Sequence, residues 1–291
     1  MNNKTLSKEL RFDIGGIIIS VNSFDGVKFR IDDARTHFLT RASPDIMLNL
    51  RKSDNNSFQI VPEEKIFETK GLWSLYSNAS NYILNFYSSD FGSTPYKIAV
   101  ISKDFKSGDI YIDYKAQDLY FSNPLDYPFD ELLMIHLLSS GKGVVAHSCG
   151  IKINNRGLLF VGSSGKGKST IANIFKSVKG AVILNDDRVI IRKIGSRFWI
   201  YGTPWHGDAR ICSQEKAALG KVFFIRHAED NIIKQLKSLE AASYLIASSF
   251  LPFWDKKGME FALRFSSNLA KNIPSYDFGF VPDKSILEFI A

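Results

Sequence analysis

Residues 162–169 read Gly-Ser-Ser-Gly-Lys-Gly-Lys-Ser, the spacing G-x-x-x-x-G-K-[ST] of a loop that cradles phosphate. Gly162, Gly165 and Gly167 carry no side chain to obstruct the approach of backbone N–H groups to phosphate oxygens. Lys168 is placed to reach β- and γ-phosphate oxygens, and the Ser169 hydroxyl suits Mg²⁺. The candidate phosphate-binding set is therefore Gly162, Ser163, Ser164, Gly165, Lys166, Gly167, Lys168, Ser169 and Thr170. Such a loop needs a strand before it and a helix after it, and "LLFV" and "STIANIF" supply both. Without that context a plain glycine-rich turn would serve as well. The loop alone does not choose among a switch, a motor, a nucleotide carrier and a kinase, because all hold phosphate in this way.

Phosphate chemistry also needs a carboxylate, for metal or for a proton. Asp186 and Asp187 follow the apolar run "VILN", at a strand end where such groups sit. Side-chain alternation along a strand predicts that the two point to opposite sides and do different work. Asp186, with Ser169, is the candidate metal pair. His147, in "AHSCG", lies just upstream of the loop-bearing strand. Taken singly it reads more readily as a satisfied core histidine than as a catalytic one.

The elements that must position these groups divide the text in two. From residue 9 to about 120, "RFDIGGIIISV", "GVKFRI", "YKIAVIS" and "GDIYIDY" are β-branched and aromatic runs punctuated by turn residues. "GLWSLYSNASNYILNFYSS" fits strand or helix. Asp32, Asp33 and a lone His37 form no chemical constellation here. Pro124 and Pro128 then break regular structure, and Asp130 is placed to cap a helix in "ELLMIHLLSS". The reading is a β-rich domain of unknown role at 1–125 and the phosphate-loop domain at 126–291. In the second, "DDRVIIRKI" and "RFWIYG" are so closely joined that they predict an antiparallel hairpin. That departs from a doubly wound sheet, in which a helix follows each strand. Helices are expected in "LEAASYLIASSFL" and "KGMEFALRFSSNLAKN", then the strand "SYDFGFV" and a short helix capped by Asp283.

Composition narrows the function classes. The chain has 291 residues, 45% of them apolar and 23% charged, in the ordinary range for a globular protein. A net charge of +7 without a dense Lys/Arg run suits acidic or phosphorylated partners and argues against nucleic acid. Cys149 and Cys212 are too few for a disulfide framework or a cysteine-only zinc site. "IGGIIISV" is too short to span a bilayer and lacks a cleavage site after it. The expectation is a cytoplasmic protein with no membrane partner.

His147, the loop and "NDDRV" in this order resemble HPr kinase/phosphorylase and the related phosphoenolpyruvate carboxykinases. The family histidine precedes the first loop glycine by fifteen residues, as His147 precedes Gly162. Ser148 stands where the family has a glycine. "GSSGKGKS" is similar to its G-D-S-G-x-G-K-S, and "LNDDRVIIR" to its L-x-A-D-D-R-V-x-I. The family's metal-binding glutamate, in L-E-x-R-G-x-G, has no counterpart. "YGTPWHGDAR" occupies roughly that place, with Asp208 or Glu215 as substitutes and Arg210, Lys216 or Arg226 as cations facing phosphate or an acidic acceptor. "GTPWHGD" and "PSYDFGFVPD" look more like stand-alone HPr kinase-like proteins, some of which accompany bacterial ribosomal-peptide biosynthesis.

The resemblance implies an α/β fold with a mixed sheet, an HPr kinase/phosphoenolpyruvate carboxykinase-like domain behind a β-rich one. It implies ATP and Mg²⁺, with Asp187 as the acid/base for an acceptor hydroxyl, His147 beside it, and Lys168 on phosphate. The acceptor it suggests is a serine of a peptide or protein other than HPr. A non-catalytic nucleotide-binding module of a biosynthetic or regulatory complex is the alternative. A carboxykinase is the weaker reading, since the chain is short and lacks an evident oxyacid-binding arginine set. The family leaves a homo-oligomer open.

Overall fold

The computed structural model describes residues 8–24, 31–53, 63–113 and 123–290. The chain divides into two compact units, Met1–Leu132 and Leu133–Ala291. Both are built on mixed sheets.

In the first unit, strands β1 (Glu9–Ile14), β2 (Ile17–Ser23), β3 (Ile46–Ser53), β4 (Glu64–Thr69), β5 (Trp73–Ser77), β6 (Asn81–Phe86), β7 (Lys97–Ser102) and β8 (Ser107–Asp113) form one sheet. Its order is β1-β2-β3-β8-β7-β6-β5-β4, with β2–β3 and β3–β8 parallel. "RFDIGGIIISV" is thus a hairpin rather than one run. Gly15 and Gly16 have φ of 64° and 74°, the left-handed pair that a tight two-residue turn requires. The ambiguous stretch at 71–89 resolves into the antiparallel pair β5 and β6. The Asn78 side chain closes their turn by accepting from Ser80 and Asn81 N–H at 3.1 and 2.9 Å. Most of "GVKFRI", residues 26–30, lies outside the described residues. Asp32 is structural: it caps α1 (Asp33–Thr36) by accepting the Arg35 N–H at 2.8 Å.

Helix α2 (Phe129–Ser139) starts one residue before Asp130, so that aspartate is not its cap. The Asp126 carbonyl already accepts the N–H groups of Phe129 and Asp130, and the Asp130 carboxylate takes Arg35 on one oxygen and the Glu131 N–H on the other, both at 2.8 Å. His136 lies further along this apolar helix. Burial lowers its pKa to about 4, against the opposing pull of Asp255. The unfolded chain therefore binds one more proton between about pH 6.5 and 4, so stability is full above that window and falls as pH drops through it. We expect the unfolding free energy of wild type to fall over this interval by a few kcal/mol at most, and His136→Gln to flatten that part of the profile. Superimposable pH profiles for the two proteins would contradict this.

The second unit holds β9 (Gly143–Ile153), β10 (Arg156–Val161), β11 (Val182–Asn185), β12 (Arg188–Ile194), β13 (Arg197–Tyr201), β14 (Lys216–His227), β15 (Ile232–Gln235), β16 (Ser249–Phe250) and β17 (Ser275–Phe280). Its helices are α3 (Lys168–Phe175), α4 (Ser238–Ala247), α5 (Lys256–Asn272) and α6 (Ile286–Ile290). The expected hairpin is β12–β13, antiparallel. Two long strands organise the rest. β10 pairs antiparallel with β9 and parallel with β14, while β12 and β13 join the other ends of the same two strands. One face packs Val222, Phe224 and Leu159 against Ala241, Leu245, Phe265 and Leu269 of α4 and α5. The other packs Phe160, Phe223 and Phe278 against Ile171 and Phe175 of α3 and Ile286 of α6. α3 is thereby held with its first turn at the end of β10. No helix among the described residues is long and apolar enough to cross a membrane.

Candidate active site

β10 is buried from Gly157 through Val161 and delivers the glycine-rich loop to the N-terminus of α3. Gly167 precedes the helix with φ 92°, and a Cβ there would lie 2.5 Å from the Phe280 ring. Only glycine fits that turn. The Lys168 ammonium returns over the loop, donating to the carbonyls of Gly162 at 2.9 Å and Ser163 at 3.1 Å. Its side chain leads into a cavity of about 320 Å³ lined by Ser164, Gly165, Gly167, Ser169 and Thr170 on the loop side. Gly162, Ser163 and Lys166 form the loop behind this lining, with Lys166 N–H donating to the Ser163 carbonyl at 3.2 Å. Burial lowers the Lys168 pKa, opposed by the negative charges of Asp187, Asp186 and Asp208.

Asp186 and Asp187 sit in the bend between β11 and β12, not within a strand, so alternation does not set their directions. The Asn185 side chain does. Its Oδ1 accepts the N–H groups of Asp187 and Arg188 at 2.7 and 2.8 Å, and its Nδ2 donates to the Thr203 carbonyl at 3.1 Å. Asp186 turns toward the loop, 1% exposed. It accepts the Ser169 hydroxyl at 3.3 Å and the backbone N–H groups of Gly207 and Ala209 at 3.0 and 2.9 Å. Those donors make burial of a carboxylate tolerable. Asp187 turns the other way within the same cavity and meets His147 Nε2 at 3.0 Å. β9 brings the histidine there, since His147 lies opposite Arg188 across the β9–β12 ladder. Burial pushes the Asp187 carboxyl up, but the hydrogen bond from His147 and the charges of Arg188 and Lys168 outweigh it and hold it below the ordinary carboxylate value.

The loop and the two aspartates thus place a cation, a hydroxyl and two differently engaged carboxylates around one cavity. Ser169 and Asp186 offer adjacent hard oxygens. That fits Mg²⁺, which takes one or two protein oxygens and completes its shell with phosphate and water. Among the described residues no group of three or more His, Cys, Asp or Glu could hold a metal unaided.

Of the other candidates, Asp208 lines the cavity, whereas Glu215 pairs with Lys152 at 2.6 Å. Arg226 is held by Asp277 at 3.2 Å, and Lys216 lies over the rings of Trp199 and Tyr201. Neither lines the cavity, nor does Arg210. Burial pushes the Cys149 thiol far up, which leaves it inert.

A histidine at the cavity has no signal in the sequence. His227, the last residue of β14, places Nε2 3.1 Å from the Gly165 carbonyl and its ring on Phe280, centroids 5.4 Å apart. Nothing local in "FFIRHAED" marks it, because its partners lie on the loop and on β17. The contact braces Gly165, whose φ is 77°. Loss of one hydrogen bond is worth about 0.5–1.5 kcal/mol, so if the loop holds ATP phosphates, His227→Ala should weaken that binding about two- to tenfold. His227→Gln, which keeps an N–H donor, should recover most of it. Equal affinity in wild type and His227→Ala, measured with a fluorescent ATP analogue, would show that the contact is incidental.

No family model matches the chain, and no curated protein matches it. Among solved structures it is similar to the Hpr(Ser) kinase/phosphatase from Coxiella burnetii, at 12% identity. The match covers 50% of this chain and 85% of that one, with a TM-score of 0.28. A likeness at that level leaves the chemistry to be read from the site itself.

Proposed function

We propose that the protein is a kinase that transfers the γ-phosphate of ATP to a hydroxyl, a serine of a peptide or protein. One observation carries this reading: Lys168, Ser169 and Asp186 face the same cavity as the hydrogen-bonded pair Asp187–His147. A module that only binds nucleotide needs the first group but has no use for the second. Mg²⁺, if held there, would supply positive charge against what develops on the phosphate oxygens. The loop's N–H groups and Lys168 hold the phosphates, and the N-terminus of α3 adds its partial positive charge. Ser169 and Asp186 are the protein's oxygens toward the metal.

Asp187 accepts the acceptor's hydroxyl proton as the new O–P bond forms and the bond to ADP breaks. Its lowered pKa keeps it ionised at neutral pH, ready for that proton. His147 fixes the direction of the carboxylate through Oδ1, leaving Oδ2 toward Arg188. Asp208 lines the cavity and Glu215 does not, so Asp208 is the substitute we favour for the missing glutamate.

The test is purified protein incubated with Mg-ATP and a panel of serine, threonine and tyrosine peptides, read by mass spectrometry. Phosphorylated serine is expected with wild type and not with Lys168→Ala. ATP binding without any phosphorylated hydroxyl across the panel and against simple alcohols would favour the nucleotide-binding module instead.

A further inference from the structure

Two side chains flank the Asp187 carboxylate: His147 Nε2 lies 3.0 Å from Oδ1, and Arg188 Nε lies 3.6 Å from Oδ2. Behind both stands the short strand β16. The Ser248 carbonyl accepts the His147 N–H at 2.7 Å, and β16 then pairs antiparallel with β9, Ser249 opposite Ala146 and Phe250 opposite Val145. β12 runs along the other edge of the same stretch, with Val189 opposite Ala146 and Arg188 opposite His147.

Register brings one ring to both side chains. Alternation along β9 sends Val144 and Ala146 to the α4–α5 core, so Val145 and His147 share the opposite face. Arg188 is directly opposite His147 and Phe250 directly opposite Val145, which puts their side chains on that face as well. The half-buried Phe250 ring lies 6.2 Å from the His147 ring, centroid to centroid, a separation at which aromatic rings attract. The Arg188 guanidinium reaches across β9 and stands 5.2 Å from the centroid of the same ring, inside cation–π range.

We propose that Phe250 is a positioning residue for phosphate transfer: its ring braces His147 and Arg188, and through them holds Asp187 in the direction that receives the acceptor's proton. The proposal rests on the kinase reading of the site. Phe250 acts through its neighbours, because it does not line the phosphate cavity. Both contacts use the π face of the ring, so an aliphatic side chain would fill the space without holding the guanidinium.

Purified Phe250→Leu and Phe250→Tyr test it. Phe250→Leu should keep its melting midpoint and its KM for ATP, and lose about ten- to a hundredfold in kcat, the cost of a slightly misplaced reacting group. Phe250→Tyr, which keeps the ring, should recover most of the rate. Phe250→Met repeats the comparison should leucine lower the midpoint. A second measurement needs no transfer. In protein labelled with ¹⁵N-histidine, the Nε2–H resonance of His147 is assigned by its loss in His147→Gln. It should be sharp in wild type and in Phe250→Tyr, and broadened by exchange with water in Phe250→Leu. A wild type that transfers no phosphate would sink the kinase reading, and the resonance alone would then decide whether Phe250 holds the pair. Wild-type kcat in Phe250→Leu, a loss that Phe250→Tyr fails to recover, or a rise in KM for ATP that matches the fall in kcat would overturn the assignment. So would an equally sharp resonance in wild type and Phe250→Leu.

Discussion

Asp187→Asn is expected to bind Mg-ATP as wild type does and to transfer phosphate about 10²–10⁴-fold more slowly, the usual size of a proton-transfer contribution. The change is nearly isosteric and leaves Asp186, the loop and Lys168 in place, so the loss should fall on kcat. Its neighbour should behave differently. Asp186 accepts from Ser169 and from the backbone of Gly207 and Ala209, so Asp186→Asn should weaken metal-dependent ATP binding and loosen the turn at 207–209. His147→Ala removes a group that lowers the Asp187 pKa, which must therefore rise. The acidic limb of the pH–rate profile, which reports the ionised base, should move to higher pH with it. Rates measured from pH 4 to 8 check the direction. Equal loss of ATP affinity in both aspartate variants, with an unmoved pH profile in His147→Ala, would reduce the aspartates to holders of metal.

Lys168→Ala is expected to abolish detectable Mg-ATP binding and transfer without unfolding the chain. The ammonium is the one cation the loop itself directs over its own carbonyls, and burial already weakens its hold on its proton. Bound phosphate would reverse that tendency. Thermal scans read this directly. At a hundredfold excess over Kd, Mg-ATP should stabilise wild type by about 2.7 kcal/mol and the variant by far less. Without ligand the two midpoints should be close. A destabilisation of about 2–5 kcal/mol, the size of a core truncation, would show that Lys168 holds the fold rather than the ligand.

What the sequence made legible is what chain-local geometry decides. The loop from Gly162 to Ser169 is read from spacing alone, because strand, turn and helix are contiguous. The divergence of Asp186 and Asp187 was expected from strand alternation, yet it arises from Asn185, whose side chain folds the bend and is satisfied by Thr203. The role of Gly207 and Ala209 as donors to Asp186 depends on the chain's return after β13, which no local pattern encodes. His227 reaches Gly165 across 62 positions. The strands β15 and β16, four and two residues long, are too short for periodicity to register and exist because β17 and β9 offer them edges. Asp130 precedes an apolar run and so reads as a cap, whereas Arg35, ninety-five positions away, also engages its carboxylate.

If Asp187 serves as the base, phosphate leaves ATP for a hydroxyl held beside it. Phosphorus NMR of purified protein with Mg-ATP and a serine peptide follows each phosphorus in one tube. The γ-resonance of ATP should decline as a phosphate monoester on the peptide grows, with ADP appearing in equal amount, and Asp187→Asn should slow this exchange while still binding ATP. Persistence of the ATP spectrum in the presence of saturable binding, or γ-phosphate appearing only as inorganic phosphate, would contradict it.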